Sequence, residues 1–312
     1  MRTTAAETSA AVVFYKRKHA ARPKSSRRVL SVADATLPDM GAIDYAMAGP
    51  LTGLERVSPE VLRGVPSHVL PICQLAAGLV LHPMFTADLV LADGRLAEQQ
   101  LRTAEDIIQA VLALDPASLQ TAREPAKRTI GTCRNFVVLS VALLRYRGIA
   151  ARARCGFGTY FDPGRGLDHW ITEYWHPSEA RWVRVDTQHV DGSFVAHPED
   201  LHPGEFLTGG EAWALHREAV IDAAMFGVPG TENWGPAEIR GNAVRDLAAL
   251  NKVEMLPWDE WGRMTASYAG QTGPEYDQLI DEIASACATD EPSGISELYA
   301  RPELTVPAEL IR

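Results

Sequence analysis

The sequence predicts an α+β protein in which helices come first, a block of strands follows, and further helices end the chain. Three observations support this prediction: a helical period over residues 105–114, a second over residues 133–147, and three strand-like segments between residues 149 and 186. Strands that follow one another closely usually pair antiparallel, and helices that are segregated from them then cover the sheet. The composition, with 46% hydrophobic and 22% charged residues, is that of a globular protein with a sizeable core.

Residues 1–30 differ in charge from the rest of the chain. They hold eight Lys and Arg residues and one acid, Glu7, whereas the whole chain has a formal net charge of -10. Their apolar piece, Ala10 to Tyr15, is too short for a secretory signal, so we expect a basic, disordered leader. The acidic remainder is not expected to bind nucleic acid through its phosphate backbone.

Neither hydropathy nor cysteine usage indicates a membrane or secreted protein. The longest apolar region, residues 70–91, is interrupted by prolines, polar residues and Asp88, and is therefore not expected to span a membrane. The four cysteines form no C-x-x-C pair and no framework typical of a small secreted domain. We therefore expect a cytoplasmic protein with free thiols.

Residues 31–125 are expected to form an N-terminal helical part of the core. Within them, apolar residues recur with a spacing near 3.6 at Ile107, Ile108, Val111, Leu112 and Leu114. Asp115-Pro116 ends that run. Residues 126–200 are then expected to hold one further helix and an antiparallel sheet, and residues 201–312 a mostly helical C-terminal cap, with helical patterns at 211–220, 242–254 and 276–286.

The helix predicted over residues 133–147 begins at a cysteine. Its apolar side chains follow the stripe of a core-facing helix, at Phe136, Val137, Leu139, Leu143 and Leu144. Thr132 is a suitable N-cap residue, and Gly148 suits the position after the helix. Cys133 is therefore predicted at a helix N-terminus.

Residues 149–157 alternate between two faces of a predicted strand. Small and apolar residues occupy one face, whereas Arg152 and Arg154 occupy the other. This alternation predicts a half-buried strand with its arginines in solvent.

Two further strands are predicted at 169–175 and 181–186, joined by the turn sequence His176-Pro177-Ser178-Glu179. A turn centred between Pro177 and Ser178 sets His169 directly opposite Asp186 on one face of the hairpin. Side chains at such positions lie roughly 5 Å apart at Cβ.

Cys133, His169 and Asp186 are thus candidates for a catalytic triad. A thiol attacks a carbonyl as the thiolate, which a helix N-terminus and a neighbouring imidazole both favour. An aspartate next to the histidine would fix the ring tautomer and stabilise the imidazolium. Each of these residues alone is more often structural, but their combination favours cysteine-dependent acyl transfer.

These residues lie in motifs that resemble the transglutaminase-like superfamily. The motifs are Gly131-Thr132-Cys133-Arg134-Asn135-Phe136, Arg-Gly-Ile-Ala-Ala-Arg at 147–152, Asp168-His169-Trp170 and Trp182-Val183-Arg184-Val185-Asp186. The resemblance implies a papain/transglutaminase-like core with Cys133 as nucleophile, His169 as base and Asp186 as orienting group. Asn135 departs from the family pattern, which more readily has Asp there. Residues 241–247 and 256–259 resemble a bacterial branch of transglutaminase-domain proteins.

The tetrahedral intermediate of acyl transfer needs an oxyanion hole. The backbone N–H of Cys133 is one candidate donor, and Gln74 and His82 are candidates for the second. No cofactor and no metal are expected, because the histidines at 176, 189, 197 and 202 match no zinc-ligand spacing.

Three classes of function stay open from the sequence. The first is an amide-forming or transamidating acyltransferase that acts on a small-molecule, peptide or carrier-bound acyl substrate. The second is a cysteine peptidase or amidase with the same triad and water as acceptor. The third is a non-catalytic binding module of the same fold, which the presence of all three groups disfavours.

Overall fold

The computed structural model describes residues 43–289 and 291–311. The predicted leader, residues 1–30, lies outside the described residues. None of the helices in the described part is both long and apolar enough to cross a membrane.

Along the chain, helices come both before and after the main group of strands. In chain order they are α1 (Pro59–Leu62), α2 (Val69–Leu79), α3 (Ala104–Leu114), α4 (Cys133–Tyr146), α5 (Gly209–Arg217), α6 (Pro236–Leu250), α7 (Met264–Tyr268), α8 (Pro274–Thr289), α9 (Pro292–Tyr299) and α10 (Ala308–Ile311).

The strands form two sheets. They are β1 (Val80–Leu81), β2 (Thr129–Ile130), β3 (Ala151–Gly158), β4 (Gly166–His176), β5 (Arg181–Val185), β6 (Phe206–Thr208) and β7 (Phe226–Gly227). The larger sheet has the order β5-β4-β3-β6, with antiparallel pairing, and β7 adds to β4 in parallel. β1 and β2 form a separate parallel pair. The predicted α+β class is confirmed, and the sequence patterns missed the short strands β1, β2, β6 and β7.

The larger sheet is covered by helices on both faces. Ala151, Ala153, Cys155 and Trp170 pack with α2, α3 and α4 in one hydrophobic cluster. A second cluster joins α5, α6, α8 and α9 on the other face. The fold therefore has three layers: the N-terminal helices with α4, the larger sheet, and the C-terminal helices.

Local sequence accounts for helix α4. Thr132 has the extended backbone of an N-cap residue, and its N–H and hydroxyl both donate to Asn135 Oδ1. The amide of Asn135 in turn donates to the Leu101 carbonyl, which a carboxylate could not do. Gly148 takes the left-handed conformation, φ +72°, that ends such a helix.

The predicted register of the β4–β5 hairpin is wrong. His176 pairs with Arg181 and not with Glu179, and Ala180 takes a positive φ of 50° in the longer loop. A two-residue loop favours turns that need positive φ at the first central residue, and the ring of Pro177 forbids this. Because the shift is by two residues, every side chain stays on its predicted face.

The predicted solvent-facing arginines of β3 are buried. Arg152 is 1% exposed and Arg154 is 3% exposed, because the C-terminal helices cover this face. Arg154 bonds to both carboxylate oxygens of Asp246 on α6, at 2.9 and 2.8 Å, and it also contacts Glu173. The prediction of a half-buried strand is therefore wrong. Acidic residues far along the chain pair with Arg154, so this face of the strand can be buried as well.

We expect Asp246→Ala to lower the free energy of unfolding by about 3–5 kcal/mol, because it leaves Arg154 with one buried partner fewer. Asp200→Ala is the matched control, since it removes an Arg181 partner at a pair whose side chains are 43% and 45% exposed. That control is expected to cost under about 1 kcal/mol. Urea unfolding of both variants would measure the difference, and equal effects would contradict a structural role for the buried pair.

The C-terminal cap is mostly helical, but its helices have other bounds than predicted: α5, α6 and α8 span Gly209–Arg217, Pro236–Leu250 and Pro274–Thr289, where 211–220, 242–254 and 276–286 were predicted. Helix α6 begins at Pro236 and not at Asn242. Gly235 takes φ 90° and Pro236 occupies the first helical position, which is a common way to start a helix.

Candidate active site

The candidate triad lies near one end of the paired strands β4 and β5. Its residues, Cys133, His169 and Asp186, come from three different elements. Cys133 is the first residue of α4, His169 lies within β4, and Asp186 directly follows β5. They are 6%, 3% and 0% exposed. His169 Nε2 lies 3.2 Å from Asp186 Oδ2, and the Cys133 thiol also interacts with the His169 ring.

The Asp186 carboxylate is held by several donors besides His169. The Tyr160 hydroxyl donates to Oδ2 at 2.6 Å, and the His189 backbone N–H donates to Oδ1 at 3.1 Å. Burial alone would raise the pKa of Asp186, but His169 and these contacts hold it below its usual value. The group facing His169 is therefore an ionised, fixed carboxylate.

His169 is poised as an imidazolium. Burial opposes its charge, yet the Asp186 carboxylate and the Cys133 side chain outweigh this and raise the pKa of His169 to about 10. At neutral pH the His169 ring therefore holds its proton beside the Cys133 side chain, which is the arrangement of a cysteine–histidine pair.

Aromatic rings surround the imidazole. The Phe161 ring lies edge-on, 5.0 Å from that of His169, and the His189 ring lies 5.9 Å away. Phe194 packs on His189 at 4.5 Å and is 42% exposed. The accessible side of the histidine pair is therefore apolar and aromatic.

Sequence reasoning missed Tyr160, Phe161 and His189 as parts of this site. Tyr160 and Phe161 follow the end of β3, and His189 follows Asp186 by three residues. No spacing along the chain relates the loop after β3 to Asp186. The order of the strands in the sheet brings this loop next to Asp186, so only the tertiary structure could reveal the contact.

The two candidate oxyanion donors differ in exposure and in contacts. Gln74 is an exposed residue of α2, and its amide makes no hydrogen bond within the described residues. His82 follows β1, is half-buried, and interacts electrostatically with His169 and His189. His82 thus lies within electrostatic range of His169 and His189, and Gln74 stays a prediction.

All four cysteines are buried and form no disulfide within the described residues, but they have different surroundings. Burial raises the pKa of Cys73 to about 12 and that of Cys155 well above its usual value. Cys155 Sγ also donates to Asn242 Oδ1 at 3.3 Å. Among the described residues, no group of three or more His, Cys, Asp and Glu side chains is arranged to hold a metal ion.

We expect iodoacetamide near neutral pH to alkylate Cys133 faster than Cys73, Cys155 and Cys287. Cys133 has an imidazole and a helix N-terminus beside its sulfur, whereas burial disfavours the thiolate at Cys73 and Cys155. Mass-spectrometric peptide mapping at several times would measure the rates, and the urea-unfolded chain, in which all four should react alike, is the control. Equal labelling of two sites in the folded protein would contradict an activated Cys133.

Residues 97–187 match the family model of the transglutaminase-like superfamily. This match contains Cys133, His169 and Asp186, and it confirms the resemblance inferred from the motifs over that segment. It ends before residues 241–259, whose resemblance to a bacterial branch stays a prediction.

A crystal structure from Cytophaga hutchinsonii, at 1.9 Å and provisionally described as a cysteine protease, is similar to this chain with 17% sequence identity and a TM-score of 0.33. The similarity covers 54% of this chain and 49% of that one, so the chain spans about half the length of this solved protein. No curated protein matches the sequence.

Proposed function

Residues 97–187 are a transglutaminase-like region, and from this premise we propose that the protein is a cysteine-dependent enzyme that transfers an acyl group through an acyl-enzyme on Cys133. The observation that carries the proposal is the contact of one imidazole, His169, with both a thiol and a carboxylate. The base of a catalytic triad needs both partners, since it takes the proton of the nucleophile and is oriented by the carboxylate.

Each group has a chemical role in the proposed reaction. The Cys133 thiolate attacks the carbonyl carbon of the donor, so that a C–S bond forms and the carbonyl oxygen takes the displaced electron pair. When the intermediate collapses, the His169 imidazolium gives its proton to the leaving amine or thiol. An amine or water then attacks the thioester, loses a proton to His169, and returns Cys133 as the leaving thiolate.

Burial of the site favours transfer to an amine. Cys133 and His169 are 6% and 3% exposed, so little water has direct access to the thioester bond. Hydrolysis by the same triad remains the second candidate, and the superfamily match supports a cysteine site without deciding between acceptors.

The surroundings of the site favour an apolar acyl group. Phe194 on one side is 42% exposed, and Met84 and Phe85, which follow His82, are 62% and 48% exposed. Such side chains bury an uncharged acyl chain or ring better than a charged group. A small molecule, a peptide or a carrier could present that group.

Acylation by p-nitrophenyl acetate tests the proposal, because this activated ester acylates a reactive thiolate whatever the natural acyl donor is. We expect a burst of p-nitrophenolate and an intact protein mass that rises by one acetyl group, mapped to Cys133. Adding a primary amine should then shorten the life of the acetyl-enzyme and yield the acetamide, which indicates transfer. Decay that is insensitive to amine would favour hydrolysis, and acetylation of other residues alone would contradict the proposal.

A further inference from the structure

If the proposed function holds, the oxyanion formed at Cys133 needs a second donor, and His82 directly follows β1, which pairs with the strand just before the start of α4. The parallel strands β1 and β2 pair Val80 with Thr129 and Leu81 with Ile130. Parallel strands end at the same edge, so His82, directly after β1, lies beside Gly131, two residues before Cys133. The Gly131 N–H donates to the Leu81 carbonyl at 3.0 Å, which extends this pairing to the start of α4.

Strand β1 lies close to the N-terminus of α4, the helix that begins at Cys133. A Cβ added at Gly131 would lie 2.7 Å from the Asn135 Cβ and 2.9 Å from a Val80 methyl group. Glycine at this position therefore allows the chain that carries His82 to reach the N-terminus of α4.

The imidazole of His82 has its tautomer fixed by a local contact. Its Nδ1 accepts a hydrogen bond from the Met84 N–H at 3.3 Å, at the start of the 3₁₀ helix Pro83–Phe85. A neutral ring that accepts at Nδ1 carries its proton on Nε2.

The ring is also kept neutral. Burial, with added repulsion from His169 and His189, lowers the pKa of His82 to about 4. A neutral donor can stabilise an oxyanion without competing with His169 for the reaction proton.

We propose that the Nε2–H of His82, together with the backbone N–H of Cys133, binds the carbonyl oxygen of the acyl donor as it becomes an oxyanion. In this step the Cys133 thiolate adds to the carbonyl carbon, and the π electrons of the carbonyl bond move to the oxygen that faces His82. Collapse of the intermediate then expels p-nitrophenolate from the probe ester and leaves the thioester.

Two isosteric variants separate the two nitrogens of His82. In His82→Asn the side-chain oxygen takes the place of Nδ1 and can still accept from Met84, but no donor remains at the Nε2 position. In His82→Gln the side-chain amide nitrogen reaches the Nε2 position and can donate. His68→Ala, at an exposed histidine before α2, is the control.

Two probes separate oxyanion binding from activation of the thiol. Acylation by p-nitrophenyl acetate passes through an oxyanion, whereas alkylation by iodoacetamide displaces iodide at a saturated carbon and forms none. We expect His82→Asn to slow acylation by about 10²- to 10³-fold, as loss of one oxyanion donor does elsewhere, with an unchanged alkylation rate. His82→Gln should recover much of the acylation rate, and His68→Ala should behave like the wild type.

The possible outcomes distinguish an oxyanion donor from a residue that only maintains the thiol or the fold. An equal loss of both rates in His82→Asn would mean that His82 maintains the thiol or the fold, and would overturn the proposal. Unchanged acylation in His82→Asn, or the loss appearing in Gln74→Ala instead, would also overturn it. Failure of the wild type to become acetylated at Cys133, despite rapid alkylation there, would instead count against the proposed function.

Discussion

Replacing Cys133 with alanine is expected to abolish acylation by p-nitrophenyl acetate and turnover of any natural substrate, because no thioester can form without the sulfur. By analogy with other nucleophile–base pairs the loss should be about 10⁶-fold, which leaves only the background reaction. Cys133→Ser should be nearly as poor, since a hydroxyl is much harder to deprotonate than a thiol. The burst of p-nitrophenolate and the intact protein mass would measure both variants.

Cys287→Ala is the matched control for this experiment. It makes the same chemical change at a buried cysteine of α8, in the C-terminal cluster. It should keep the burst even if its melting temperature falls slightly. A Cys133→Ala protein that is folded and still becomes acetylated with the wild-type rate would end the proposal of a Cys133 nucleophile.

Loss of the histidine is expected to be almost as severe as loss of the cysteine, and loss of the aspartate milder. His169→Ala removes both the base for the thiol and the acid for the leaving group. Asp186→Ala leaves the proton transfers in place but removes the charge that holds the imidazolium. In serine triads the orienting aspartate costs about 10²-fold less than the base, and we expect a similar gap here.

The pH dependence distinguishes this role of Asp186 from a structural one. Because the pKa of His169 is raised to about 10, the imidazolium is present below that pH and is lost as the pH rises through it. The rate on amide substrates should therefore fall on the alkaline side near pH 10. Asp186→Asn removes the main cause of the raised pKa, so the fall should move to lower pH.

Kinetics from pH 6 to 11 on both proteins would measure this shift. Tyr160→Phe is the control, because it removes one donor to Asp186 and keeps the charge. An alkaline limb that stays in place in Asp186→Asn would contradict the assigned role. Fully additive losses in the His169→Ala, Asp186→Ala double variant would do the same, since residues that act as a unit are not additive.

Local sequence determined the elements that carry the three predicted residues. Helix α4 starts at Cys133 because Thr132 caps it, and it ends at Tyr146 before a glycine in the left-handed conformation. These signals act within a few residues, so they can be read from the chain. The faces of β4 and β5 were also predictable, because side chains alternate with a period of two.

The tertiary structure decided the register, the burial and the remaining parts of the site. Sequence could have excluded the two-residue turn at Pro177, but the observed pairing of His176 with Arg181 follows from the longer loop. Arg154 is buried because Asp246, far along the chain, neutralises it under the C-terminal helices. Such pairings depend on which surfaces meet, and a local pattern contains no record of that.

The same distinction separates the predicted triad from its surroundings. Cys133, His169 and Asp186 lie within one continuous segment whose motifs and periodicity place them, so the sequence by itself determined that they are candidates. Tyr160 reaches Asp186, and His82 reaches the start of α4, only after the strands pair. Those contacts join distant segments through backbone hydrogen bonds and packing, which is why only the tertiary structure decided them.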